Sequence, residues 1–168
     1  IVPCYQCSQQ KPEFQNMEFT FIGSGELDYL VLDACKKYRN VKYLGYISLS
    51  QLLNLYNSHD VAVVPSRWES FPYACLEPQS CGVPVIASNI PGPRDIIEDK
   101  KTGILFESQN VNALTDAILY MFKLKEKNPS EFQEMKKLAR KNVEEKFSMR
   151  NIIEKLESMF IQALQNKA

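Results

Sequence analysis

Short apolar runs alternate with amphipathic segments along most of this 168-residue chain, and this alternation restricts the possible folds more than any other feature. The runs are rich in β-branched residues, as buried parallel strands are, and the segments between them carry apolar residues at helical spacing. Strands are predicted over residues 18–22, 41–44, 61–64, 83–87 and 104–106. Short connections of this kind favour right-handed βαβ units. The sequence therefore predicts an α/β fold: a Rossmann-like parallel sheet with helices on both faces.

The last quarter of the chain has a different pattern. After the Pro129-Ser130 break, two helices are predicted, over residues 131–146 and 151–164, with no further strand. The length suits one domain with a substantial core but not two large ones. We therefore expect a single domain over residues 1–168, with residues 130–168 as a C-terminal helical extension.

Composition excludes several classes of function. Lys and Arg number 20, as do Asp and Glu, so no net charge attracts nucleic acid. No apolar run approaches the roughly 20 residues that span a bilayer. The cysteine count is odd and no secretory signal is visible, which predicts free thiols and a cytoplasmic location. Cys4 and Cys7 have the spacing of half a zinc site, but no second pair follows, so no metal site is predicted.

The stretch that follows the strand at residues 61–64 reads PSRWESFPYACLEPQSCG and can begin a helix. Ser70 is the predicted N-cap, and Pro72 is tolerated in a first turn. The free amides of a helix start at this edge of a parallel sheet suit phosphate. Glu69 and Glu77 flank the helix start, and carboxylates would face hydroxyl groups rather than phosphate. The combination indicates a nucleotide sugar, and the alternative is that both glutamates are solvated surface residues.

The same stretch, extended through VPVIAS and followed by PGPRDIIEDKKTGILFE, resembles the donor-binding core of family 4 glycosyltransferases. These are retaining transferases with the GT-B fold. The resemblance implies that the chain is the C-terminal donor-binding half of a two-domain enzyme. It also implies a UDP or GDP sugar as donor, a saccharide or glycolipid acceptor bound through a missing N-terminal domain, and no obligatory cofactor.

The resemblance extends to the expected activity. The full-length protein would be a hexosyltransferase of polysaccharide biosynthesis, and this chain alone would not catalyse the transfer. A cytoplasmic enzyme is expected, with peripheral attachment at the inner face of the membrane as the alternative.

The resemblance also assigns roles to residues. Glu77 matches the glutamate that holds the ribose hydroxyls, and Glu69 matches the one that contacts the donor sugar and is the catalytic candidate. Transfer in this family is described as front-face, without a protein nucleophile, so Glu69 would position and stabilise. The segment whose backbone amides would meet the sugar and the diphosphate comprises Phe71, Pro72, Tyr73 and Ala74.

Two further loops match the family less specifically. The turn at Gly23 and Ser24 resembles a Gly-rich turn that approaches the ligand, although a plain strand-to-helix turn would look the same. Tyr46 and Ile47 lie in the loop expected beside the nucleotide base, although Tyr46 could also pack under that loop. The Gly-Arg pair and lysine that bind diphosphate in the family have no match before Gly23.

Other classes of function remain open from the sequence. A glycoside hydrolase could use Glu69 and Glu77 as acid and nucleophile. A non-catalytic nucleotide- or sugar-binding domain could share the fold, and a GT-B epimerase fits the motif less well. Binding of UDP or GDP separates a transferase from a hydrolase, because the hydrolase needs no nucleotide.

Overall fold

The computed structural model describes residues 11–165, and five short strands organise them. The strands are β1 (Phe19–Phe21), β2 (Val41–Tyr43), β3 (Ala62–Val64), β4 (Val85–Ser88) and β5 (Gly103–Phe106). β1 pairs with β2, and β4 lies between β3 and β5; every pairing is parallel. The predicted Rossmann-like arrangement of parallel strands and flanking helices is confirmed. Cys4 and Cys7, which suggested half a zinc site, lie outside the described residues.

Helices connect and follow the strands. A 3-10 helix, Pro12–Asn16, precedes β1. The α-helices are α1 (Asp28–Lys37), α2 (Leu49–Ser58), α3 (Tyr73–Ser80), α4 (Pro93–Ile96), α5 (Val111–Lys127), α6 (Pro129–Lys146) and α7 (Met149–Gln165). The last two occupy the predicted C-terminal extension. Among residues 11–165, no helix combines the length and the apolar character that crossing a membrane requires.

The central strand β4 is buried along its whole length because apolar layers cover both of its faces. Successive side chains of a strand point to opposite faces. Ile86 accordingly joins a cluster with Ile104 of β5 and the apolar side of α5. Val85 and Ala87 join a second cluster with apolar residues of α3 and α4. Cover on both sides favours apolar residues on both faces of a strand, which is why the run at residues 83–87 shows no alternation.

The two sheets do not pair with each other among the described residues, although the sequence pattern suggested one sheet. A cavity of about 780 Å³ lies between β1 and β3 and is lined by every residue of both strands. Side chains of α2 and α3 line it, as do side chains of α5. His59 bridges part of the opening, since its Nε2 lies 2.9 Å from the Thr20 Oγ1 in β1. The facing edges of β1 and β3 therefore border a cavity, whereas both edges of β4 are paired.

Two helices begin at a residue whose side chain caps them, whereas the helix of the motif has no side-chain cap. Ser48 caps α2 through a capping box with Gln51, and the Asn110 side chain accepts from the Ala113 amide at 3.0 Å to cap α5. The prediction that Ser70 caps the motif helix is wrong. The N-cap of α3 is Pro72, which makes no side-chain capping bond. Pro72 has a ψ of 107°, which lies outside the helical region, so the first turn begins at Tyr73.

Candidate functional site

The loop from residue 65 to 72 joins the end of β3 to the start of α3. The first amides of an α-helix have no partner within it. In α3 these belong to Tyr73 and Ala74, whereas the Cys75 amide already donates to the Pro72 carbonyl at 2.9 Å. Pro72 has no N–H to add, so the loop side of the helix start offers fewer donors than most helices do. Two amides and the positive end of the helix dipole remain to face an anion.

Glu77 lies in the second turn of α3 and is half-buried. Its Oε2 accepts a hydrogen bond of 3.2 Å from the hydroxyl of Tyr56, which is in the last turn of α2. Glu77 lines the cavity between β1 and β3, and two other predicted site residues, Ala74 and Gly23, line it too. The structure therefore brings the predicted ribose-binding carboxylate, a helix-start residue and the Gly-rich turn to one space.

Glu69 is also half-buried, but it does not line that cavity. Its Oε1 accepts from the Ser66 hydroxyl at 3.2 Å, a bond within the loop itself. Glu69 is close enough to the helix start that its charge, after burial, helps to raise the pKa of the Cys75 thiol to about 12. Of the two glutamates, only Glu77 therefore lines the cavity, and the buried, protonated Cys75 lies near Glu69.

The turn at residues 90–93 holds the motif loop in place through a close backbone approach. Gly92 has a φ of 83°, and a Cβ there would lie 2.8 Å from the carbonyl oxygens of both Glu69 and Ser70. Any other residue would have to push the loop away or change its own backbone. The Pro-Gly-Pro sequence around Gly92 signals a turn, but only the folded chain shows what the turn approaches.

Aromatic side chains surround the helix start. Phe71 and Tyr73 meet edge to face with ring centroids 5.9 Å apart, and Phe71 also lies 5.9 Å from Phe147. Tyr73 remains 69% exposed, and Trp68, directly before Glu69, is 83% exposed. Trp68 was not among the predicted site residues, although its position beside Glu69 was a signal. These rings give the helix start a partly apolar surface that a sugar or a base could contact.

The two remaining predicted loops lie together at the ends of β1 and β2. Gly23 adopts a φ of 105°, its amide donates to the Gly45 carbonyl at 2.8 Å, and its own carbonyl accepts from the Tyr43 hydroxyl at 2.9 Å. Ser24 is exposed. The requirement for glycine at position 23 is therefore conformational, since a Cβ there would have nothing within 4 Å.

The loop after β2 leaves its aromatic residue in solvent. Tyr46 is 86% exposed and Ile47 is half-buried. The alternative in which Tyr46 packs beneath its loop is therefore wrong, and the ring is available to contact a ligand.

Besides Trp68, sequence reasoning missed four residues that shape this region: Ser66, Tyr56, Cys75 and Gly92. Ser66 is three residues from its partner and could have been found from a local side-chain pattern. Tyr56 and Gly92 act on residues 21 or more positions away along the chain, so only the tertiary structure reveals them. No group of three or more metal-ligating side chains occurs in residues 11–165.

Comparison with known proteins decides the family. The sequence model described as "Glycosyl transferases group 1" matches residues 6–142, which is most of the chain. The chain belongs to the group 1 glycosyltransferases.

Three known proteins illustrate how similar this chain is to its relatives. The chain is 28% identical over 153 residues to the UDP-Gal:alpha-D-GlcNAc-diphosphoundecaprenol alpha-1,3-galactosyltransferase of Escherichia coli, covering 89% of this chain and 38% of that protein. It is 31% identical over 153 residues to the capsular polysaccharide biosynthesis glycosyltransferase CapM of Staphylococcus aureus, covering 86% and 38%. A solved structure of an S. aureus TarM mutant, in complex with Fondaparinux, alpha-GlcNAc-glycerol and UDP, matches with a TM-score of 0.79 and 28% identity, covering 95% of this chain and 31% of that one. The chain therefore spans less than half the length of the relatives it matches.

Proposed function

We propose that this chain is the donor-binding domain of a retaining, family 4 glycosyltransferase. The complete enzyme would move a hexose from a nucleotide diphosphate sugar to a saccharide or lipid-linked acceptor, and this domain alone would bind the donor without transferring it. The observation that carries the proposal is the position of Glu77. It is a half-buried carboxylate, oriented by Tyr56, in the same cavity as Ala74 of the helix start and Gly23.

Each part of a nucleotide sugar has a matching group in the chain. A carboxylate accepts two hydrogen bonds from vicinal hydroxyls, so Glu77 would hold the ribose. The amides of Tyr73 and Ala74 would face the diphosphate, whose negative charge grows as the bond to the sugar breaks. Tyr46 and Ile47 would contact the base. Metal is not obligatory in this scheme, because amides and the helix dipole supply the positive potential.

Glu69 is the catalytic candidate of the proposal. In front-face transfer the acceptor hydroxyl attacks the same face of the sugar that the nucleotide leaves, and its proton passes to the departing phosphate oxygen. No protein nucleophile takes part. Glu69, held through Ser66, would position the donor sugar and stabilise the positive charge that develops on it. The exposed Trp68 beside it gives a face on which a sugar ring can pack.

The hydrolase alternative fits this geometry less well. A glycoside hydrolase needs two carboxyl groups facing one glycosidic bond across about 5–10 Å of open space. Here Glu77 lines the cavity between β1 and β3 and Glu69 does not. A non-catalytic domain would bind the same ligands, so only transfer by the complete protein separates it from an enzyme.

Nucleotide binding by the chain tests the proposal. The TarM structure is a complex with UDP, so UDP is the first probe, followed by GDP and their hexose conjugates. We expect saturable binding in calorimetry and a rise in melting temperature with ligand concentration. Glu77→Ala should raise the Kd by about ten- to a hundredfold, because it removes hydrogen bonds to a charged acceptor. Glu134→Ala, at an exposed glutamate of α6, is the matched control and should bind as the unmodified chain does.

Two results would contradict the proposal. One is the absence of binding to every nucleotide and nucleotide sugar in the panel. The other is equal affinity in the Glu77→Ala and Glu134→Ala variants, which would leave nucleotide binding in place but remove Glu77 from it.

A further inference from the structure

We propose that Tyr56 is a positioning residue for Glu77, fixing one carboxylate oxygen so that the other faces the ligand. The inference rests on the proposed function, since it concerns the residue proposed to hold the ribose. It adds a residue from α2, outside the motif, to the donor site.

The first support is geometric. The Tyr56 hydroxyl donates to Oε2 of Glu77 at 3.2 Å, although the residues are 21 positions apart and belong to different helices. α2 is held at its start by the Ser48 capping box, and Tyr56 lies in its last turn. Both side chains are half-buried and line the same cavity. The hydroxyl therefore reaches the carboxylate from a helix whose own geometry is fixed.

The second support is the number of acceptor positions on a carboxylate. An ionised carboxylate offers about four lone-pair sites on its two oxygens. Tyr56 occupies one of these sites, on Oε2, which leaves both sites of Oε1 to accept from the two ribose hydroxyls. A hydrogen bond to an ionised acceptor in a partly buried place is stronger than a neutral one, so it can hold the side chain in a single rotamer.

The third support is that Tyr56 remains a donor. Burial, and then the charge of Glu77, raise the pKa of Tyr56 well above its ordinary value. The phenol therefore stays protonated throughout the neutral range and can donate continuously. An ionised phenolate could not take this role, because it would repel the carboxylate.

A purely structural tyrosine would also join α2 to α3, so the test must separate orientation from packing. Tyr56→Phe keeps the ring and removes the hydroxyl. Glu77→Ala removes the carboxylate that accepts from that hydroxyl. The two variants and their combination form a double-mutant cycle. Tyr120→Phe, at a partly exposed tyrosine of α5, is the matched control for losing a phenol hydroxyl.

The measurement is the Kd for UDP and GDP by calorimetry on the 168-residue chain, with a thermal melt to confirm that each variant folds. We expect Tyr56→Phe to weaken binding about three- to tenfold, which corresponds to one hydrogen bond to a charged group. In the Glu77→Ala background the same substitution should change the Kd by less than about twofold, because the carboxylate that accepts the hydrogen bond is already gone. Tyr120→Phe should leave the Kd unchanged.

The outcomes distinguish this inference from the proposed function. If the unmodified chain binds no nucleotide, both fail. If it binds and Tyr56→Phe binds equally well, or loses affinity equally in both backgrounds, the positioning role fails while the donor site stands. The same variants can also be unfolded in urea without ligand. Their free energies of unfolding then report whether the two side chains interact, independently of any nucleotide.

Discussion

The two sheets of this domain are built from similar residues but differ in burial. β1 carries two phenylalanines, yet none of its three residues is fully buried, whereas all four residues of β4 are. β4 has a paired strand on each edge and an apolar cluster on each face. β1 has one paired edge, and its other edge borders the cavity. The comparison teaches that position in the sheet, more than apolar character, sets how deeply a strand is buried.

The candidate site draws on both regions. Glu77 and the helix-start amides belong to the region of β3, β4 and β5, where packing is dense. Gly23 and Tyr46 belong to the region of β1 and β2, which is more exposed. The groups proposed to hold ribose and phosphate are therefore on the better-packed part, and the loop proposed to contact the base is on the other. A site needs firm support where geometry matters most, and this division supplies it.

The two regions should differ most in the free energy of unfolding that is lost when a large side chain is replaced by a small one. Ile86 is 1% exposed in β4 and Ile22 is 42% exposed just after β1. We expect Ile86→Ala to lower the free energy of unfolding by about 3 kcal/mol, through lost burial and a cavity. Ile22→Ala should cost less than about 1 kcal/mol. Urea unfolding of both variants measures the contrast, and similar losses would show that the regions are equally packed.

The second-largest difference between the two regions is expected when a glycine is replaced by alanine, which adds a methyl group. In β5, a Cβ on Gly103 would overlap the carbonyl oxygen of Val85 in the paired strand. Gly103→Ala should therefore destabilise by about 2–3 kcal/mol, because backbone must move. Gly25, in the turn after β1, has nothing within 4 Å of a Cβ and no positive φ. Gly25→Ala should change the melting temperature little, and a drop as large as that of Gly103→Ala would contradict the assigned packing.

A smaller difference is expected in amide hydrogen exchange. Paired edges and buried faces slow the opening that exchange requires. The amides of β4 should exchange at least about tenfold more slowly than those of β1 when followed by NMR or mass spectrometry. Equal protection in β1 and β4 would mean that the edge of β1 facing the cavity is as well protected as a paired edge.

The smallest effects on the free energy of unfolding should come from removing surface charges, because both regions carry such charges in solvent. Lys146 hydrogen-bonds Glu98 and thereby holds the pKa of that carboxyl below its ordinary value. A lowered folded pKa adds stability above the unfolded pKa, and this stability is lost as the pH falls through the folded value. Glu98 is partly exposed, so Lys146→Met should cost at most about 0.5 kcal/mol at neutral pH.

That cost should disappear in acid, once the pH has fallen below the lowered folded pKa and the carboxyl is protonated with or without its partner. Unfolding at the two pH values measures it. Lys137→Met, at an exposed lysine of the same helix, is the control. A cost that persists in acid would assign the effect of Lys146 to packing rather than to charge.

Much of the fold could be predicted because local patterns repeat what tertiary structure requires. The β-branched runs marked every strand to within two residues. The start of α3 was misplaced because serine is a common cap, whereas here the proline at position 72 disfavours helical backbone at Phe71, and the helix begins only at Tyr73. The site residues were predicted from a family motif, and their roles remain proposals.

The sequence by itself determined the order of strands and helices, the apolar residues of β4 and the two glutamates beside a helix start. These depend on neighbours a few positions apart. Tertiary structure alone decided that Tyr56 reaches Glu77, that Gly92 lies against the motif loop, and that Glu69 lies outside the cavity that Glu77 lines. The first two contacts join segments more than twenty residues apart, and all three depend on how whole helices and sheets pack, which no local pattern encodes.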